Sequence, residues 1–303
     1  MTAAAALAFT VGEHVHGLTL AAEPRWPADP PNVYAVQGGG AWAMVDSGWD
    51  REQDRRAIDA WLADVAPRGR AAALIVTHAH RDHIGGLRHL ARSYGLTALA
   101  LAPERDTARR HGLDAAFETV AAGSALDLGG GVRLSLLATP GHTPGSLTVH
   151  LPARVGEGAQ GVLFTGDTVV GRHSAWVGPP DGDLDVYLDT LVRLADAAAP
   201  WAGARLAPGH GPAGGPAGEA AETLRVRRLG RDDDILRLLG TREASARALA
   251  HALYGAGGGP ILGAGGVAER TVLAHLERLR RLGRVRPKAA EPDPALTAWC
   301  RLS

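Results

Sequence analysis

A single cysteine, Cys300, leaves the chain without an intramolecular disulfide and without any cysteine-based zinc knuckle. Lysine is as scarce: Lys288 is the only one among 32 basic residues, so arginine carries nearly all the positive charge. No Gly-x-Ser-x-Gly elbow is present, and Cys300 lies far in sequence from the other polar clusters, so a covalent nucleophile is not indicated. The opening MTAAAALAFTVGEHVHG lacks the basic start of a secretory leader, and no apolar run could span a bilayer. These absences predict a cytoplasmic protein with no membrane partner. Aromatics make up 5% of the residues, which supplies few rings for stacking nucleic-acid bases.

What is there suffices for one large domain, or a medium one with a small one attached. Seven apolar runs read as strands: Asn32–Val36, Ala41–Gly48, Ala71–His78, Val132–His142, Ser146–Leu151, Gly161–Val170 and Ala204–His210. Between the second and third, Ile58, Trp61, Leu62 and Val65 recur at helical spacing behind Asp50, a plausible N-cap. A second helix is expected at Leu184–Ala197. The loose stretch PGHGPAGGPAGEA then breaks the pattern and sets a boundary between residues 1–215 and 216–303. Beyond it, three helices are expected at about Ala220–Leu239, Arg242–Tyr254 and Val267–Leu282, followed by a short extended piece, the outline of a winged helix. The Gly-rich run Gly255–Gly266 reads as flexible. From residue 216 onward the chain holds 15 basic against 10 acidic residues, leaving 17 against 22 before it. That mild asymmetry is weak support for a polyanionic partner.

Thirteen histidines give many chances for accidental pairs. EHVHG is one such pair: His14 and His16 have no acidic or imidazole neighbour downstream and read as exposed or strand-borne. THAHRDHIGG differs. His78, His80, Asp82 and His83 share one tight loop at a strand end, and imidazole nitrogen with carboxylate oxygen suits a divalent metal. Gly85 and Gly86 are expected to let the backbone turn sharply. Three further strand ends supply His142 in TPGHTPGS, Asp167 in LFTGDTVVG and His210 in APGHGP. An unpaired carboxylate at the end of an apolar strand is costly if buried, which marks Asp167. His89 and His111 read as helix-surface residues, His150 as strand-borne, and His251 and His275 as residues of the tail helices. His173 reads as a loop residue lining a cleft, and Tyr187 as a packing residue.

The set His-x-His-x-Asp-His, then His, Asp and His, resembles the metallo-β-lactamase superfamily. The resemblance implies an α/β fold, an αβ/βα four-layer sandwich with two metal ions at the edge of its sheets. Carried over, it implies that His78, His80 and His142 bind one Zn(II) and that Asp82, His83 and His210 bind the other, with Asp167 bridging. Iron or manganese suits the same ligands. Asp46 in VDSG matches the early aspartate that supports the ligands from behind. The implied chemistry is hydrolysis by a metal-bound hydroxide, with Asp82 or Asp167 holding or moving the proton. A secreted β-lactamase does not fit, because no leader is present and the commonest zinc β-lactamases fill the position of His83 differently.

GDTVVGRHSAWVGPPDGDLDVYLDTLVRL, then PGHGP, an Arg-rich helix and the tail, resembles the β-lactamase-like protein 2 group. Its members include single-strand endoribonucleases and thioesterases acting on carrier proteins. Three functions follow. The first is a hydrolase of an ester or thioester on a small molecule or carrier-bound acyl group. The second is a phosphodiesterase on RNA or single-stranded DNA, motivated by Arg278, Arg280, Arg281, Arg284, Arg286 and Lys288. The preferred reading of those residues is a solvated helix face, with the winged helix packed on the catalytic domain and shaping its cleft. The third is a DNA-binding regulator with a vestigial metal domain, against which the complete ligand set argues. The ester or thioester reading ranks first.

Overall fold

The structure, a computed structural model, describes residues 6–23, 29–65, 67–113, 116–153, 160–255, 266–288 and 291–302. The glycine-rich run read as flexible falls, at 256–265, outside the described residues.

Two sheets stack face to face. The first has seven strands in chain order: β1 (Leu7–Gly12), β2 (Val15–Thr19), β3 (Asn32–Gln37), β4 (Ala41–Val45), β5 (Arg70–Ile75), β6 (Ala98–Leu101) and β7 (Glu118–Val120). Neighbours pair antiparallel from β1 to β4 and parallel from β4 to β7. The second has five: β8 (Ala125–Gly129), β9 (Val132–Ala138), β10 (Leu147–Leu151), β11 (Val162–Gly166) and β12 (Arg205–Pro208). Only its β11–β12 pair is parallel.

Side-chain alternation along the strands dictates the layering. β3 turns Tyr34 and Val36 toward Leu134, Val149 and Phe164 of the second sheet, and Val33 and Ala35 to the opposite face. There α1 (Glu52–Val65) supplies Ile58, Trp61 and Leu62. The short α2 (Arg81–Ile84) leads into α3 (Leu87–Tyr94), which adds Leu87 and Leu90, and α4 (Glu104–Arg110) follows β6. The parallel β4–β5 pair needs such a crossover helix, because a tight turn cannot reverse the chain twice. On the outer face of the second sheet, Leu163 and Leu206 are covered by Tyr187, Leu188 and Leu191 of α5 (Leu184–Ala195) and Leu224 of α6 (Ala217–Leu239). The result is helix, sheet, sheet, helix, as expected.

The second half of α6 enters a separate core. Its Ile235, Leu236 and Leu239 pack with α7 (Ala246–Tyr254), α8 (Val267–Arg281) and an antiparallel sheet of β13 (Glu243–Ser245), β14 (Val285–Pro287) and β15 (Ala298–Arg301). The helix expected from Arg242 to Tyr254 is therefore partly a strand. Glu243–Ser245 pairs with β15, and the Ser245 hydroxyl then caps α7 by accepting from the Ala248 N–H at 3.2 Å.

Candidate metal centre

The polar loops named from sequence leave the C-terminal ends of their strands on the same edge of the sandwich. Asp46 follows β4, the His78–His83 loop follows β5, His142 lies beyond β9, Asp167 follows β11 and His210 lies just past β12. All seven candidate ligands meet there. Facing imidazole nitrogens of His80 (Nδ1) and His142 (Nε2) lie 3.1 Å apart, with the His78 ring 4.6 and 4.7 Å from theirs, centroid to centroid. His210 Nε2 lies 3.2 Å from Asp82 Oδ2 and 3.3 Å from His83 Nε2. Asp167 stands between the two groups: Oδ1 is 3.5 Å from both His83 and His210, and Oδ2 is 3.8 Å from His142.

Three of the rings, those of His83, His142 and His210, are aimed by a partner behind them. Asp46 accepts from His83 Nδ1 at 2.7 Å, and also from the Thr77 N–H at 2.8 Å and the Thr77 hydroxyl at 2.7 Å. It does so from a left-handed backbone conformation (φ 59°), which turns its carboxylate under the β5 loop. The Asp29 carbonyl accepts from His210 Nδ1 at 2.6 Å, and the Trp176 carbonyl accepts from His142 Nδ1 at 2.7 Å. These partners leave the opposite nitrogens facing the centre.

Charge is sorted in the same way. Burial opposes protonation of His83 and His210, yet Asp46, Asp82 and Asp167 around the first, and Asp167 and Asp82 beside the second, push them up to about 9 and about 10. His142 falls to about 4 through burial and the neighbouring His80, and His78 is driven down by burial and the surrounding imidazoles. Burial would raise the carboxyls of Asp82 and Asp167, but the imidazoles hold both below their ordinary value.

Two buried atoms aimed at this point, His78 Nε2 and Asp167 Oδ1, have no hydrogen-bond partner. Such orphans are costly in a folded protein and call for an ion or water. The triads His78–His80–His142 and Asp82–His83–His210, and the set His78–His83–Asp167, each offer ligand atoms within 4.8 Å of one another. Three imidazoles, and two more with carboxylates, form a donor set that suits a divalent metal ion.

The glycines of the loop work differently from expectation. Gly85 and Gly86 both have ordinary helical dihedrals, so neither is needed for a sharp turn. They are needed for closeness: a Cβ on Gly85 would lie 2.4 Å from the Asp50 nitrogen, and one on Gly86 2.3 Å from the Ser47 carbonyl.

Several contributors have no sequence signature. Glu104, fully buried at the start of α4, accepts from the Ala79 N–H at 2.6 Å, the Gly145 N–H at 2.8 Å and the Thr143 hydroxyl at 2.7 Å. It thereby ties the His78–His80 loop to the His142 loop. His111 is not a plain helix-surface residue. It closes α4, is half-buried, and donates from Nε2 to Asp181 at 2.7 Å. Tyr187 is fully buried and donates its hydroxyl to the Thr168 carbonyl at 2.8 Å, a packing residue as expected.

The centre opens into a cavity of about 730 Å³ walled by Trp49, Arg81, His111, His173, Trp176 and, from α8, Val267. His173 thus lines the cleft. The metallo-beta-lactamase superfamily model matches residues 26–210, the whole span from before β3 to the last ligand loop. The chain belongs to the metallo-beta-lactamase superfamily. Among curated superfamily relatives, a hydroxyacylglutathione hydrolase of Pseudomonas putida (strain W619) is 35% identical over 127 residues, 42% of each chain. The chain thus aligns with less than half the length of such relatives. Among solved structures, a metallo-beta-lactamase family protein from Thermus thermophilus matches at TM-score 0.72 and 24% identity, covering 98% of this chain and 99% of that one. The metallo-beta-lactamase FIM-1 of Pseudomonas aeruginosa in its mono-zinc form matches at TM-score 0.60 and 25% identity, covering 75% and 96%. Among the described residues no helix is long and apolar enough to cross a membrane.

Proposed function

We propose that the chain is a metal-dependent hydrolase that cleaves an acyl thioester on a small molecule or carrier. His78, His80 and His142 would hold one Zn(II) and Asp82, His83 and His210 a second, with Asp167 available to either; iron or manganese would fit the same donors. The convergence of the orphaned His78 Nε2 and Asp167 Oδ1 with five other donors carries this reading. The thioester follows from the curated relatives, whose name describes hydrolysis of an acyl-glutathione. When bound, the ions supply an acidified water and a Lewis acid for the carbonyl.

This chain's own groups do the rest. Asp82 or Asp167, both held ionised by surrounding imidazoles, accepts the proton that attacking water loses. Water adds to the carbonyl carbon, the carbon–sulfur bond breaks, and the proton passes to the departing thiolate. Trp49, Trp176 and Val267 give the acyl group an apolar wall and keep bulk water from it. Residues 1–215 form the catalytic domain and 216–303 a winged-helix-like unit, whose three helices and three-stranded sheet support that description.

Single-stranded RNA is the weaker substrate. Arg278 bonds Asp232 and Asp185, Arg281 bonds Asp183 and Asp185, Arg280 bonds Glu277 and Lys288 pairs with Glu243. The basic run is largely answered by this chain's own carboxylates, and Arg278 and Arg281 clamp α8 onto the start of α5. The deciding assay offers zinc-loaded protein acyl thioesters, lactones and labelled single-stranded RNA in parallel. Thioester turnover is expected, with a loss of at least about 100-fold in Asp167→Ala. Full activity in that variant, or turnover of RNA alone, would overturn the assignment.

A further inference from the structure

Asp181 lies outside the seven-ligand set, in the loop between the Asp167 segment and α5, yet its carboxylate is completely buried. Oδ1 accepts from Arg110 Nε at 2.8 Å, and Oδ2 accepts from His111 Nε2 at 2.7 Å. The same Oδ2 faces His80 Nε2 at 3.6 Å, a few tenths of an ångström beyond a hydrogen bond. His80 Nε2 is itself buried and has no hydrogen-bond partner. Its other nitrogen, Nδ1, is the one that faces His142.

We infer that Asp181 is a positioning residue, the acceptor that fixes His80 in the tautomer with its proton on Nε2 and its Nδ1 lone pair directed at the metal. This rests on the reading of His80 as a ligand. A neutral imidazole has one proton, so an acceptor on the far nitrogen decides which nitrogen can bind an ion. His83, His142 and His210 each have such an acceptor: Asp46, the Trp176 carbonyl and the Asp29 carbonyl. Asp181 completes the pattern for His80, as the carboxylate facing its remaining nitrogen.

The surroundings hold Asp181 for that task. The Arg81 guanidinium donates to the His111 carbonyl at 2.7 Å, which ties the ligand loop to the end of α4. On the other side, the Asp183 N–H donates to the Gly141 carbonyl at 2.9 Å, which ties the Asp181 loop to the His142 loop. His80, His111 and Asp181 could also be taken as a third metal cluster. Arg110 already places a cation on that carboxylate, which argues for positioning instead of ligation.

The test titrates Zn(II) and Co(II) into metal-free full-length wild type, Asp181→Asn, Asp181→Ala and His111→Gln, against a competing chelator. Co(II) spectra, metal stoichiometry and thermal unfolding are recorded on each. The expected result is that one of two ions binds about 10- to 100-fold more weakly in Asp181→Ala. Asp181→Asn and His111→Gln should show smaller losses, with altered Co(II) bands and unchanged stoichiometry at saturation. If the variants unfold earlier but bind both ions as wild type does, Asp181 is only a structural tie and the inference fails. Loss of one ion from the saturated stoichiometry would make Asp181 a ligand and also overturn it. A wild type that binds no metal would sink the reading of His80 itself, which is a separate result.

Discussion

His83 and His210 approach one point from different sheets, and carboxylates hold both protonated when no ion is bound. Their values, about 9 and about 10, lie above the ordinary 6.5 of histidine, whereas His142 lies near 4 and His78 is also lowered. At neutral pH the first pair is charged and the second is not. A metal takes the lone pair of a neutral imidazole, so filling the Asp82–His83–His210 triad must expel about two protons, and filling the His78–His80–His142 triad expels none from His78 or His142. Raising pH from 6.5 toward 9 removes the competing protons. Affinity at the first triad should therefore rise by about tenfold per pH unit for each proton displaced, while the second changes little. Chelator competition at several pH values, with proton release followed in weak buffer, checks this. Two ions with the same flat pH profile would refute the assignment of charges. At this scale the convergence of the candidate ligands was legible, because a metal site calls for particular residue types at close spacing. Glu104, Asp181 and the carbonyls of Asp29 and Trp176 were not. They act through a fold contact between distant segments, and nothing in ERD or PPDG distinguishes a buried carboxylate from an exposed one.

Elements were legible where one face is continuously apolar. The helix carrying Ile58, Trp61 and Leu62, and the strands bearing Val33–Val36 and Val162–Phe164, lie where the pattern places them. β1, β2, β6, β7 and β8 were not foreseen: β1, β7 and β8 carry exposed or half-exposed residues that blur a period of two, and β2 and β6 are only five and four residues long. The β12 loop was expected at the centre through His210, but how tightly it packs there was hidden. A Cβ on Gly209 would lie 2.5 Å from Asp167 Oδ1 and 2.8 Å from the His83 ring. Gly209→Ala must therefore displace either a proposed ligand or the strand end that carries His210. Overpacking of this kind costs about 1–3 kcal/mol. Unfolding of the metal-free protein should show a loss in that range, and metal affinity should fall with it. A variant as stable and as metal-avid as wild type would show that the loop relaxes freely.

Across the whole molecule, the tail does more than follow the catalytic core. α6 runs from one hydrophobic core into the other, with Leu224 in the first and Ile235 in the second. On the way it delivers Arg228, 5% exposed, whose guanidinium lies 5.8 Å from the Tyr187 ring and donates to the Ala175 carbonyl. The next residue is Trp176, which walls the cavity with its ring and accepts from His142 through its carbonyl. Arg270 of α8 stands 5.7 Å from the Trp176 ring, and Val267 reaches the same cavity. The tail thus braces one wall of the cleft, the packing role that the sequence reading prefers for it over nucleic-acid binding. Arg228→Met keeps much of the side-chain volume but leaves the Ala175 carbonyl without its donor, so the wall carrying Trp176 loses its anchor. The Michaelis constant for an acyl thioester should rise several-fold while zinc content stays at the wild-type value, because no proposed ligand is touched. The effect should grow with the acyl chain, since longer chains use more of the Trp176–Val267 wall. Equal losses for short and long chains, or loss of zinc, would show that Arg228 supports the fold in general and not the cleft wall.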